Sequence, residues 1–245
     1  MVRDRPGSSG PRPEGPIGLD PAPRPGGGVR SLVRLTPADE RGYAALLHRV
    51  APLLGATLGP QAHANRIVGW NGGLPVLEPW REARRRWRAE ARRLALGARV
   101  VVTADIHDCY PSIGPGPLSH RLRALGAPAR AIDEIEAWLR ILADRGIRGL
   151  PVGPVTSAVL AEAVLVAGDQ VLRSAGVPHV RWVDDVVIFA EHRRQAVAAL
   201  DTLLEAWGDV GLAPNDAKTG LHTDPIAWLS EAGGRTSLAD HRTLR

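Results

Sequence analysis

The stretch His179-Val-Arg-Trp-Val-Asp-Asp-Val-Val-Ile-Phe-Ala190 decides how this chain is read. Two short runs rich in valine, isoleucine and aromatics, 179–183 and 186–190, flank the adjacent acids Asp184 and Asp185. β-Branched and aromatic side chains suit a pleated, half-buried surface, so the pattern predicts a hairpin with two carboxylates at its tip. Aspartate is favoured in tight turns for local backbone reasons, and the dipeptide alone therefore does not define a site. A second acid changes that reading. Arg99-Val-Val-Val-Thr-Ala-Asp-Ile106 is a β-branched run that predicts a buried strand ending in Asp105. Magnesium takes hard oxygen ligands, usually a couple of carboxylates with water and phosphate oxygens in the remaining positions, and Asp105, Asp184 and Asp185 are candidates to hold it.

To either side the pattern is mostly helical. Apolar spacing predicts helices at about 115–125, 128–144 and 192–207, and Thr156 to Ala175 has the length and composition of another. That last helix follows the Gly/Pro-rich Gly149-Leu-Pro-Val-Gly-Pro154, and a turn-rich segment runs from Gly211 to Gly220. Upstream, Ser31 to Leu58 reads as an opening helix through Tyr43, Leu46, Leu47 and Val50, and 59–78 reads as irregular. From Pro79 to Leu96, Trp80, Ala83, Trp87, Ala91 and Leu94 form one stripe, with Arg81, Arg84, Arg85, Arg88 and Arg92 mostly on the other faces. This basic amphipathic helix is either a solvated surface helix or a contact for a phosphate backbone. Residues 1–29 are Pro-, Gly-, Ser- and Arg-rich with few large apolar groups, which predicts a disordered tail. The element order predicts an α+β fold with helices packed on one face of the sheet.

At 245 residues the chain is long enough for one well-cored domain. No long uninterrupted apolar run or apolar signal core is evident, and the expectation is a cytoplasmic protein with no membrane partner. The single cysteine, Cys109, excludes a disulfide framework or a cysteine zinc site within one chain. A net charge of +5 and a pI of about 10.4 suit a phosphate-bearing partner. Nearly every cation is arginine; the one lysine is Lys218.

Four spaced segments then resemble reverse transcriptases, in the family's order. Asp105-Ile-His-Asp-Cys-Tyr-Pro-Ser-Ile113 is similar to the first palm motif, an aspartate followed five residues later by an aromatic. Gly149-Leu-Pro-Val-Gly-Pro-Val-Thr-Ser157 resembles the second, in the form common to bacterial, non-retroviral members. Trp182-Val-Asp-Asp185 resembles the third, and Gly211-Leu-Ala-Pro-Asn-Asp-Ala-Lys-Thr219 the fourth. The set spans about 105–219.

The resemblance implies a right-hand polymerase: fingers-like helices over 30–98, a palm over 99–224, and a short C-terminal tail over 225–245 with the thumb short or absent. It implies two Mg2+ ions, with Mn2+ as an alternative, held by Asp105, Asp184, Asp185 and the backbone carbonyl of Ile106. Tyr110 would lie under the sugar of the incoming nucleotide and exclude a 2′ hydroxyl, Gly153 and Pro154 would floor the nucleotide and template, and Ser157 would cap the following helix. Lys218 would protonate the leaving pyrophosphate, which needs a titratable ammonium rather than a guanidinium. Arg66 is a candidate triphosphate contact. Partners would be an RNA template, a primer and deoxynucleotides, with a protein or RNA partner supplying the missing grip. The setting implied is a retroelement or antiviral defence against phage. Two positions depart from the pattern: Val152 stands for a usual glutamine and Trp182 for a usual tyrosine. The alternatives are an RNA-templated RNA polymerase and a catalytically silent, nucleic-acid-binding or assembly subunit.

Overall fold

The computed structural model describes residues 10–23 and 28–235. The first strands, β1 (Gly18–Pro23) and β2 (Val29–Arg34), form an antiparallel hairpin. Helix α1 (Pro37–His48) begins where Thr36 accepts a 3.1 Å bond from the Asp39 N–H and Pro37 presets the first turn, and α2 (Ala51–Thr57) follows. A second hairpin, β3 (Ile67–Asn71) and β4 (Leu74–Leu77), leads into α3 (Trp80–Leu96). Then come β5 (Val100–Ala104), the single turn α4 (Cys109–Ser112), α5 (Pro115–Ala124), α6 (Ala129–Asp144) and α7 (Val155–Ser174). β6 (His179–Trp182), β7 (Asp185–Ala190), α8 (Arg193–Asp209), β8 (Gly220–His222) and α9 (Pro225–Arg235) complete the order.

The main sheet runs β6-β7-β5-β8, antiparallel throughout. Its central strands are apolar on both sides because both sides are covered. Val100, Val102, Ala104, Val186, Ile188 and Ala190 point into the larger core with α1 and α5–α8. Val101, Val187 and Phe189, one residue out of phase, meet Ala83, Trp87 and Ala91 of α3 and Trp228 of α9. The expectation of helices on one face is therefore corrected: α3 and α9 cover the other.

Four further expectations change, the first being the single opening helix over residues 31–58, which is strand β2 followed by the separate helices α1 and α2, each started by a proline in its first turn. The disordered tail does not extend over residues 10–23, because remote groups satisfy its backbone: Glu14 and Gly15 N–H donate to the Asp39 carboxylate, both at 2.9 Å, and Arg145 donates to the carbonyls of Pro13 and Gly15. Residues 1–9 and 24–27 lie outside the described residues. The segment 59–78 contains a hairpin, closed by Gly72 and Gly73 at φ 56° and 81°, a two-residue turn that glycines form without strain. Residues 225–235 are a helix rather than a tail; Trp228 is buried and meets Phe189 edge-on, with ring centroids 5.9 Å apart. Residues 236–245 lie outside the described residues. Among the described residues α7 is the one helix long and apolar enough to cross a membrane, and it is packed inside the main core.

Candidate active site

β5 delivers Asp105, and its pairing with β7 brings the β6–β7 turn to the same end of the sheet: Ala104 faces Val186, and Trp182 faces Asp185. One carboxylate oxygen from each of Asp105, Asp184 and Asp185 lies within 4.8 Å of the others. Asp105 is 3% exposed, and each of its carboxylate oxygens accepts a hydrogen bond. Oδ1 accepts from Asn215 Nδ2 at 2.8 Å, and Oδ2 accepts from Lys218 Nζ at 2.9 Å. The Asp105 carbonyl also takes the Asn215 N–H at 2.8 Å, and His107 N–H donates to Ala213, so the turn carrying Lys218 is laced along the first acid. Ile106 lies buried between those two bonds. Crowding among the acids, first by desolvation and then by the charges of Asp184 and Asp105, holds the Asp185 carboxyl well above the usual range, although the residue itself faces solvent. Burial lowers the Lys218 ammonium, but the bond to Asp105 and the three carboxylates outweigh it and raise its pKa overall. Three hard-oxygen donors sharing one cation fit a divalent metal site.

Tyr110 sits on α4 just beyond this cluster. Burial chiefly, with Cys109 and Asp184 adding, pushes its phenol well up, so it presents a neutral ring; part of the residue remains in contact with solvent. Gly149 lies directly over it. At φ 65°, a Cβ there would fall 2.5 Å from the carbonyl oxygens of both Tyr110 and Pro111, so only glycine permits the approach. Leu150 N–H then donates to the Tyr110 carbonyl at 3.0 Å. Gly153, at φ 126°, is fitted against β2: a Cβ would lie 2.9 Å from the Val33 carbonyl. Val33 N–H donates to Val152 O at 2.6 Å. Pro154 is the residue that precedes α7 and serves as its cap, which corrects the reading of Ser157; that side chain is buried in the first turn with its hydroxyl 3.3 Å from Tyr43 Oη.

The three carboxylates and the lysine are thus gathered at one sheet end. The family described as reverse transcriptase (RNA-dependent DNA polymerase) matches residues 32–231. The chain belongs to the reverse transcriptase family. No curated protein matches the chain.

Not every candidate residue of this reverse transcriptase joins the cluster. Arg66 donates from Nε to the Ala62 carbonyl at 3.0 Å and from Nη2 to Ala62 and Gly59. It lines a separate cleft of about 1630 Å³ between α2, β3, α3 and α7, to which none of the three aspartates contributes. Arg84 likewise departs from the expected phosphate-facing position. It is 7% exposed, with its guanidinium 4.0 Å from the Trp87 ring centroid and 4.9 Å from that of Trp182. The tryptophan in the third motif thus has a cation to stack on, and α3 is tied to the hairpin that carries the acids.

Three residues with no role assigned from sequence complete the surroundings. Asn215 holds Asp105, and its place in the fourth motif was its only signal. Val183, between Trp182 and Asp184, has φ 55°, a left-handed conformation that β-branched residues rarely adopt. Arg181 Nη1 donates to the Val183 carbonyl at 2.9 Å. The same guanidinium binds Asp169 Oδ1 at 2.9 Å and Oδ2 at 2.7 Å, and Glu162 at 2.8 Å, all in the buried interior. Those two acids hold Arg181 protonated against the pull of desolvation, and Arg181 in turn holds Asp169 well below the usual carboxylate range.

Proposed function

We propose that this reverse transcriptase is an RNA-directed DNA polymerase of the non-retroviral bacterial type, which transfers deoxynucleotides to a primer 3′ hydroxyl. The observation that carries the proposal is the meeting of Asp105, Asp184 and Asp185 with Lys218 at one sheet end. Asp105 and Asp184 would ligate two magnesium ions, Asp185 would act as an additional or outer ligand, and the Ile106 carbonyl would add an oxygen donor. When bound, the ions supply activation of the 3′ hydroxyl and charge neutralisation on the phosphates. The primer 3′ hydroxyl gives its proton to solvent water, and its oxygen bonds to the α-phosphorus as the bond from that phosphorus to the bridging β-phosphate oxygen breaks. Lys218, kept charged by the carboxylates around it, gives its proton to the departing pyrophosphate. The Tyr110 ring, on a backbone that Gly149 packs against, would leave no room for a 2′ hydroxyl. Gly153 and Pro154 shape the floor beneath template and nucleotide.

The exposed arginines of α3, among them Arg85 and Arg88, would take backbone phosphates of the template and primer duplex. One observation favours a second reading, a nucleic-acid-binding subunit without catalysis: position 152 offers an apolar valine whose carbonyl is committed to β2, with no side-chain amide for the substrate. A primed RNA template with deoxynucleotides separates the two. Template-directed extension that requires Mg2+ or Mn2+ is the expected result; binding of the duplex without extension under either ion supports the silent subunit.

A further inference from the structure

The buried ion cluster behind the hairpin has a geometry that stability does not explain. Burying an arginine with two carboxylates gains little over apolar packing of the same volume, because desolvation offsets the attraction. What arginine offers is a rigid fork of N–H groups with fixed directions. Here Glu162 and Asp169, each 1% exposed and both on the packed helix α7, take two sides of the fork. The remaining nitrogen, Nη1, is thereby aimed at the Val183 carbonyl, in the peptide that leads directly into Asp184. That peptide is also where the backbone is strained, with Val183 at φ 55°. Such a conformation persists only when its surroundings hold it.

The anchoring continues on the other side. Asn65, itself left-handed at φ 59°, donates from Nδ2 to Glu162 Oε1 at 2.9 Å. The backbone of Arg181 bonds both ways to the same loop, its N–H donating to the Gln61 carbonyl at 2.8 Å and its carbonyl accepting from His63 N–H at 3.1 Å.

We propose that Arg181 is a positioning residue: by clamping the Val183 carbonyl it holds the strained hairpin tip in the one orientation that presents the Asp184 carboxylate to the metal. Glu162, Asp169 and Asn65 aim the clamp. The inference rests on the reading of the three aspartates as a metal site. A lysine at 181 keeps the charge facing Asp169 and Glu162 but, having one ammonium in place of a fork, cannot also fix the carbonyl.

The test is Mn2+ binding to the full chain without nucleotide or nucleic acid, measured by calorimetry and water-proton relaxation, with circular dichroism confirming the fold. Wild type is compared with Asp184→Asn, Arg181→Lys, Val183→Gly and the double variant Arg181→Lys/Val183→Gly. Arg181→Lys is expected to bind about tenfold more weakly, as when an outer-shell partner of a metal ligand is lost. Glycine adopts the left-handed backbone without strain, so Val183→Gly is expected to bind as wild type does and to restore most of the loss in the double variant. A purely structural role would lower the melting temperature, leave the affinity of the folded protein alone and show no rescue by glycine. Should Arg181→Lys not fold, Glu162→Gln, which loosens the fork without removing it, is expected to weaken Mn2+ binding in the same direction. If wild type and Asp184→Asn bind alike, the metal reading falls and the clamp falls with it. If those two differ while Arg181→Lys, or Glu162→Gln in its place, binds like wild type, the clamp alone is overturned.

Discussion

At the hairpin tip the smallest informative change replaces one carboxylate oxygen with an amide nitrogen. Asp184→Asn removes a charge but hardly any volume, and it also relieves repulsion from Asp105 and Asp185. We expect the variant to fold, with a melting temperature equal to or above wild type, and to lose primer extension by about a thousandfold or more, since a metal site contributes several kcal/mol to the transition state and about 1.36 kcal/mol is tenfold in rate. Undiminished extension by the folded variant would remove Asp184 from the machinery. Tyr110→Ala tests a different interaction. Truncation opens space over the backbone that Gly149 braces, so the ratio of ribo- to deoxynucleotide incorporation should rise by about tenfold or more, the scale at which pockets discriminate small groups. An unchanged ratio in competition assays would return the RNA polymerase alternative.

Among the elements, α3 separates two kinds of arginine that its sequence presents as one stripe. Arg84 is enclosed by Trp87 and Trp182, and Arg84→Gln should destabilise the fold by about 1–2 kcal/mol, read in denaturant melts. Arg85 and Arg88 are exposed, and changing both to Gln should leave the fold unaltered while flattening the log-log salt dependence of duplex binding by about 0.9 for each phosphate no longer neutralised, with a somewhat different coefficient for an RNA–DNA hybrid. Equal slopes for wild type and the double variant would place the duplex elsewhere. Strands β5, β6 and β7 and most helices could be read from the chain because each is a run of consistent period, such as Val100–Ala104 or the α6 stripe from Ile132 to Leu142. The acids and Lys218 were legible from spaced motifs. What escaped was set by remote partners. β1 contains Pro21 and Pro23 and looks like a tail until β2 pairs with it. The β3–β4 hairpin has a strong Asn71-Gly72-Gly73 turn but strands too short and irregular to announce themselves. Arg181 sits in plain view beside Trp182, yet its role depends on Glu162 and Asp169, which only the packing of α7 against β6 and β7 brings near.

For the molecule as a whole, His63 makes stability depend on pH in a window of its own. Desolvation first, and then the positive charges of Arg86 and Arg66, push its imidazole down to about 4 from the usual 6.5. The folded state therefore keeps the ring neutral while the unfolded chain binds a proton below about pH 6.5, so stability falls as pH drops from about 6.5 towards 4. The loss should be of order 2 kcal/mol by about pH 4.5, and His63→Gln should remove that component, leaving the decline caused by carboxylate titration at lower pH. Parallel melting curves for the two proteins between about pH 7 and 4.5 would count against it. The loop that carries His63 also closes one side of the sheet. Ala62 lies beside Arg181 as a parallel bridge, bonded through Gln61 and His63, and on the opposite side the outermost strand, β8, is only three residues long. Strands as apolar as β5 and β7 would be hazardous beside a long bare edge, since another chain could add to it and seed a cross-β stack. Among the described residues such an edge is lacking on either side of this sheet, and the same few bonds that hold the acid-bearing hairpin leave its core strands no long bare edge to offer another chain.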